Sequence, residues 1–360
     1  MRRSTPRVVH AADAYQMERD PLAAQARIPH AAWAAAQAGL RHGPVLLQVA
    51  RTGFSPALAC DRCRHPARCS ACAGPLSQAG RDAPLVCRWC GRPDNSWSCA
   101  ECGGTRVRAT AAGATRTAEE LGRAFPGVPV ISSAGEHIVD AVRDVPAVVV
   151  ATPGAEPVAP GGYAAVILLD GNALLSRESL RAGEDALRRW FSAAILARPS
   201  TAGGTVVITG DDDVAVGHVV RWDPAGAAAR ELVERQELGL PPAVRYAVLT
   251  GTREALIHFL EGVETEGAPR VVGPAPVPPD VRRDAMLAAR AAAAAGRGAD
   301  QPGRAATEAL AGRGSHRVLL FFPYRAAAGI TRQLRARRAT LSARRTGDPV
   351  HIRLDALDVL

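Results

Sequence analysis

All eight cysteines of this chain lie between Cys60 and Cys102, in four C-x-x-C pairs: Cys60/Cys63, Cys69/Cys72, Cys87/Cys90 and Cys99/Cys102. A C-x-x-C turn lets two thiolates converge on one tetrahedral ion at about 2.3 Å each, so four pairs complete two Cys₄ zinc sites with no position left open. Closed sites are structural, and the expected cofactor is two zinc ions per chain. Gly91 follows Cys90, and Gly103 and Gly104 follow Cys102, where a tight turn around metal needs a permissive backbone. A redox C-x-x-C occurs singly on a strand-to-helix turn, whereas these four share one turn-rich segment. His65 lies between the first two pairs. With eight thiolates filling two sites, it is expected to be a solvated turn residue rather than a ligand. Spacing alone leaves open which pairs share an ion.

The chain has 360 residues, 47% apolar and 22% charged, the balance of a soluble globular protein of two or three domains. No segment approaches the run of about eighteen apolar residues needed to cross a bilayer. The start, Met1 to Arg7, is basic but lacks the apolar run of a secretory signal, so a cytoplasmic location is expected. Thiols stay reduced there, which favours metal over disulfides. The formal charge is +9 and all 44 basic side chains are arginine. Two Zn²⁺ on eight thiolates would lower +9 to +5, and the protein stays basic. Arg62, Arg64, Arg68, Arg81, Arg88 and Arg92 surround the sulfurs, either compensating thiolate charge or facing an external polyanion.

Around this segment the pattern is α/β. An Ala-rich helix over 29–40 precedes a buried strand at 45–49. A helix over 117–125, with Glu119 and Glu120 in its first turn, leads to β-branched runs at 128–131, 147–151 and 165–169. An amphipathic helix over 180–196 and a strand at 205–209 complete what reads as a parallel sheet interrupted by the zinc module. A helix over 230–238 ends at Gly239 and Pro241–Pro242. A new domain then begins, with a strand at 246–250, a helix over 254–262, a strand at 317–322, a further helix and a last strand near 351–354: a small α+β sandwich. The Ala-, Arg-, Gly- and Pro-rich interruption over 277–315 reads as a mobile insertion with room for one transient helix.

Arg332, Arg335, Arg337, Arg338, Arg344 and Arg345 crowd the terminal helix, with Arg353 beyond. Such a stripe either binds phosphate, without reading sequence, or is a solvated helix face. Aromatics make up only 4%, so base-stacking platforms have little material. A motor would need G-x-x-x-x-G-K-[ST], and there is no lysine. Asp211, Asp212 and Asp213 are consecutive and read as a solvated turn rather than a Mg²⁺ site. G-x-S-x-G and H-E-x-x-H motifs are absent, and Glu136–His137 is assigned no chemistry. No catalytic residue is identified.

Four C-x-x-C pairs inserted in an α/β lobe, followed by the run from Glu234 to Pro242 (ERQELGLPP) and by Val272-Gly273-Pro274-Ala275-Pro276, resemble the PriA (primosomal protein N′) family of replication restart proteins. Arg- and Ala-rich actinobacterial members look closest. The resemblance implies a RecA-like second helicase lobe interrupted by a two-zinc module and followed by a small α+β C-terminal domain. The lobe would occupy 1–56 and 107–238, the module 57–106, and the C-terminal domain 239–360. The family's N-terminal DNA-binding domain and first helicase lobe have no counterpart in this stretch. On the family's nested pattern Cys60, Cys63, Cys99 and Cys102 hold one zinc, and Cys69, Cys72, Cys87 and Cys90 the other.

Helicase members carry G-T-Q-M and G-R-x-G-R motifs where this chain reads Ala151-Thr152-Pro153-Gly154-Ala155 and Ala193-Ala194-Ile195-Leu196-Ala197-Arg198. Only Arg198 remains as a counterpart to those arginines, too little to stabilise charge on a γ-phosphate. The expected function is replication restart without helicase activity in this chain. It would act as a monomer on forked or single-stranded DNA, with primosome and helicase-loading proteins as partners. An ATP-dependent 3′–5′ helicase and a zinc-stabilised protein-interaction module without DNA binding are the alternatives.

Overall fold

The computed structural model describes the chain except residues 1–3, 22–25, 51–57, 79–82, 89, 91, 110–113, 176, 178, 211, 265–269, 278–315, 345–346 and 357–360. The insertion expected over 277–315, apart from Val277, therefore lies outside the described residues. Two compact units are present, Met1–Ala228 and Ala229–Leu360.

The first unit begins with β1 (Arg7–His10), α1 (Ala14–Arg19), α2 (His30–Gly39) and β2 (Val45–Gln48). Four short strands follow in the cysteine segment: β3 (Leu58–Cys60), β4 (Leu76–Gln78), β5 (Leu85–Cys87) and β6 (Val107–Ala109). Next come α3 (Ala114–Ala124), β7 (Val130–Ser133), β8 (Val148–Ala151), β9 (Ala165–Leu168), α4 (Gly171–Leu175), α5 (Ala182–Ala194), β10 (Thr205–Ile208) and α6 (Asp213–Val220). Helix α7 (Pro224–Leu238) contains the division between the units.

Six strands form one parallel sheet in the order β1-β10-β9-β2-β8-β7. Strands β2, β8 and β9 are buried at every position, as parallel strands covered on both faces must be, and this is why they read as continuous apolar runs. Their side chains nonetheless alternate between two cores. Leu46, Val149, Val166, Leu168, Val206 and Ile208 pack with Trp190, Ala193, Val216 and Val219 from α5 and α6. On the opposite face Val45, Leu47, Val148, Val150 and Ile167 pack with Ala32, Ala36, Leu121 and Phe125, where Trp33 stacks on Phe125 at 4.4 Å between centroids. Segments β2 and β8 pair directly, although the whole cysteine segment separates them in sequence.

Helix α3 starts at Ala114, so Glu119 and Glu120 sit beyond its first turn rather than in it. Glu120 is instead held by Arg27 at 2.8 Å and Arg116 at 3.1 Å. Helix α7 begins at Pro224, earlier than the sequence pattern indicates, because Asp223 accepts from the Gly226 N–H at its start. Edge strand β1 and helix α6 have no counterpart in the sequence reading. The former is four residues, one exposed and three half-buried, and the latter an apolar, β-branched run that periodicity does not separate from a strand.

The second unit contains β11 (Arg245–Gly251), α8 (Arg253–Leu260), β12 (Arg270–Pro276), β13 (His316–Phe322), α9 (Ala327–Arg344) and β14 (His351–Leu354). Its sheet is antiparallel, in the order β12-β13-β11-β14. Ala247, Leu249, Val318, Leu320 and Phe322 face α8 and α9, while Tyr246, Val248, Leu319 and Phe321 line the other face. Strand β12, which the sequence reading omits, tolerates its prolines because it lies at the edge and shifts register between Val272 and Ala275. No described helix is long and apolar enough to cross a membrane.

Trp190 is fully buried between α5 and the sheet. Trp190→Ala is expected to lower the stability of the first unit by about 3–5 kcal/mol in urea unfolding. Trp190→Phe, which keeps an aromatic ring in the site, should cost clearly less.

Candidate metal centres and arginine surface

The cysteine segment is built from four copies of one turn. In each, the N–H of the first cysteine donates to the carbonyl five residues on: Cys60 to His65 at 2.8 Å, Cys69 to Gly74 at 2.8 Å, Cys87 to Arg92 at 2.9 Å and Cys99 to Gly104 at 2.8 Å. In three, the residue after the second cysteine returns its N–H to the first cysteine's carbonyl: Arg64 at 3.1 Å, Ala73 at 2.9 Å and Gly103 at 2.9 Å. These three residues are left-handed, with φ of 68°, 57° and 67°; the equivalent Gly91 lies outside the described residues. Three turns continue into a proline that bridges back to the residue before the first cysteine: Pro66 to Ala59, Pro75 to Arg68 and Pro93 to Val86. That C-x-x-C-x-x-P repeat is a sequence signal beyond the bare cysteine spacing.

Two antiparallel ribbons bring the turns together in nested fashion. Pairing of β3 with β6 sets Cys60 opposite Val107, and pairing of β4 with β5 sets Leu76 opposite Cys87. The Sγ atoms of Cys60, Cys63, Cys99 and Cys102 consequently lie within 4.8 Å of one another, as do those of Cys69, Cys72, Cys87 and Cys90. The closest approaches are 3.5 Å for Cys60–Cys102 and Cys63–Cys99, 3.9 Å for Cys69–Cys90 and 3.4 Å for Cys72–Cys87. These spacings suit the edges of a tetrahedron around one ion, so each group could hold a metal. His65 is in neither group; its imidazole lies 4.0 Å from Glu101. Gly104 passes so close to the outer group that a Cβ there would sit 3.1 Å from the Cys60 sulfur.

Without a cation, the four thiols of a group cannot ionise together. The backbone N–H of Cys63 is the main cause lowering Cys60 to about 7. Cys63 beside it is pushed up to about 12, the lowering by the His65 N–H being outweighed by burial and three neighbouring thiols. The inner group repeats this: the Arg92 N–H leads in lowering Cys90 to about 7, whereas Cys72 rises to about 12 because the Cys87 thiol and burial outweigh the Gly74 N–H. A divalent cation at the centre would remove that conflict.

Around the sulfurs the apolar core is small, chiefly Leu58, Ala67, Leu76, Leu85 and Trp97. Trp97 donates to the Arg68 carbonyl at 2.9 Å, and Asp94 accepts from the N–H and hydroxyl of Ser70 at 3.2 and 3.0 Å. Arg62, Arg68 and Arg92 are exposed, Arg64 and Arg106 approach Asp61 at 3.9 and 3.5 Å, and Arg81 lies outside the described residues.

The arginines of α9 divide by role. Arg337 donates to the carbonyls of Phe259 and His258 at 3.3 and 2.6 Å, tying α9 to the end of α8. Arg332, Arg335, Arg338 and Arg344 are exposed and have no hydrogen-bond or ion-pair partner among the described residues. Arg345 lies outside the described residues. In the first unit, Arg198 donates to the carbonyls of Gly161, Gly162 and His42 at 3.2, 3.1 and 3.2 Å, a loop clamp. Asp212 caps α6, accepting from the N–H groups of Val214 and Ala215, rather than lying in an open turn; Asp211 lies outside the described residues.

Residues 236–357 match the family model for the primosomal protein N C-terminal domain. Over 299 residues, 81% of the chain, the sequence is 50% identical to the probable replication restart proteins PriA of Mycobacterium tuberculosis and Mycobacterium bovis. It is likewise 50% identical over 289 residues, 79% of the chain, to that of Mycobacterium leprae. These stretches cover 46%, 46% and 44% of the relatives, so the chain spans slightly less than half the length of the curated proteins it matches.

The left-handed turns make a matched test. Gly103→Ala meets no neighbouring atom within 4 Å, so its cost is conformational, about 1 kcal/mol. Ala73→Gly should restore part of such a penalty and raise the melting temperature of the metal-loaded protein. Opposite signs in thermal melts are the expected outcome.

Proposed function

We propose that this chain, similar over four fifths of its length to probable replication restart proteins PriA of which it spans slightly less than half, is a zinc-stabilised restart factor that binds forked or single-stranded DNA and docks primosome and helicase-loading partners. On this reading residues 1–56 and 107–238 are a degenerate, RecA-like second helicase lobe. Residues 57–106 are a two-zinc module and residues 239–360 a C-terminal domain. The single observation that carries the proposal is the pair of nested four-thiol groups in a chain half identical to restart proteins over most of its length.

Cys60, Cys63, Cys99 and Cys102 would hold one zinc, and Cys69, Cys72, Cys87 and Cys90 the other. Bound there, zinc would supply a structural cross-link through four thiolates rather than Lewis-acid chemistry. The repeated N–H···O=C turns orient the sulfurs, and Trp97 and Asp94 fasten one turn to the next. The exposed arginines Arg332, Arg335, Arg338 and Arg344 would meet phosphate oxygens without reading bases. Lack of helicase activity in this chain is supported by the missing phosphate-loop lysine and by the engagement of Arg198 with three carbonyls. A γ-phosphate in this unit would find neither charge.

Metal analysis of the purified protein should give two zinc ions per chain. Cys60→Ser with Cys63→Ser should take the content below one, since the outer group closes the ribbon that frames the inner one. Fewer than two in the parent protein would count against the assignment. Fluorescence anisotropy with forked DNA should show binding that weakens by about 100-fold between 50 and 200 mM salt, the dependence of about four phosphate contacts. No binding at the lower salt would instead favour a protein-interaction module.

A further inference from the structure

The four unpartnered arginines of α9 do not share one environment. Arg335 and Arg338, together with Ser342, Asp348, Val350 and His351, line a cavity of about 690 Å³ framed by α9, the turn before β14 and β14 itself. Arg332 and Arg344 are outside it. The volume falls in the range that encloses a small ligand, whereas a flat basic stripe would need no cavity. Its polar lining is unequal in charge: two guanidiniums face one carboxylate. That carboxylate, Asp348, already accepts from the Thr252 hydroxyl at 3.2 Å. Two Arg forks and the Ser342 hydroxyl are donors suited to the oxygens of a phosphate group, while Val350 provides apolar wall.

We propose that this cavity is a binding site for a single phosphate-bearing nucleotide, with the phosphate on Arg335 and Arg338 and the sugar or base against the apolar wall. This inference rests on the DNA-binding reading only for the source of the nucleotide, a DNA strand rather than the free monomer. His351 reports on the site. Burial, together with the charge of Arg338, holds its imidazolium below the ordinary value of 6.5. A phosphate dianion or diester placed on Arg338 would offset that charge and move the titration of His351 upward. The charged groups lining the cavity are Arg335, Arg338 and Asp348.

The test compares two double variants that remove the same charge from the same helix, one inside the cavity and one outside it. Arg335→Ala with Arg338→Ala should weaken binding of a short single-stranded oligonucleotide by at least about tenfold per arginine. Arg332→Ala with Arg344→Ala should weaken it only modestly, both variants melting like the parent. The His351 ring resonances of the parent should titrate at higher pH in the presence of oligonucleotide, and not so in Arg338→Ala. Equal losses from the two double variants, with an unmoved His351, overturn the cavity while leaving DNA binding intact. If the parent binds no DNA, a deoxynucleoside monophosphate is the remaining probe. A shift of His351 with it upholds the site with free nucleotide as the source, and no shift overturns it.

Discussion

The cysteine segment depends on sulfurs converging at two points, because little else holds it. Its apolar core is a handful of side chains, and its four strands are three residues each. Hydrophobic burial on that scale does not offset the entropy of ordering a segment of this length. The turns themselves are well made, with repeated hydrogen bonds and left-handed corners, but each is local. Beyond the two short ribbons and a few hydrogen bonds, it is the sulfurs that join Cys60 to Cys102 across 42 positions, and Cys69 to Cys90 across 21. Four thiols so close repel as thiolates, and the opposed behaviour of Cys60 and Cys63, or Cys90 and Cys72, expresses that repulsion. A cation bound there would convert the same geometry from conflict to cross-link.

The parallel sheet around the segment solves a different problem. Its central strands are buried on both faces, so the apolar run of each strand serves two cores at once. Pairing of β2 with β8 means that the cysteine segment is inserted in sequence between two neighbouring strands of the sheet. The sheet supplies its own cohesion through α2 and α3 on one face and α5 and α6 on the other, and does so with residues that carry no evident chemistry.

Arginine does two kinds of work in a chain without lysine. Arg198 and Arg337 act as fixed connectors, each donating to backbone carbonyls at loop and helix ends, a task suited to a planar fork of donors. Arg245 similarly holds Asp355 across the second sheet. Against these, Arg335 and Arg338 line a cavity and have no hydrogen-bond or ion-pair partner among the described residues. The count of arginines therefore says little about an electrostatic surface until each guanidinium has been followed to its partner.

The sequence alone was sufficient for the chemistry that depends on residue type and short spacing: thiols suited to metal, the missing lysine, the continuous apolar runs of β2, β8 and β9, and the arginine-rich last helix. It was also sufficient for the family resemblance, which the similarity to curated PriA relatives supports. Short or edge elements such as β1 and β12 escaped it, because a half-buried strand of few residues has no period to detect and prolines normally argue against a strand. The start of α7 escaped it too, since the bond that sets it comes from the capping side chain of Asp223. Grouping the thiols by geometry, setting Arg337 and Arg198 apart from the free arginines, and enclosing Arg335, Arg338 and His351 in one cavity required the tertiary fold. The physical reason is common to all three: each arrangement depends on how separate elements pack, and only the packed sheets and helices fix the distances between them.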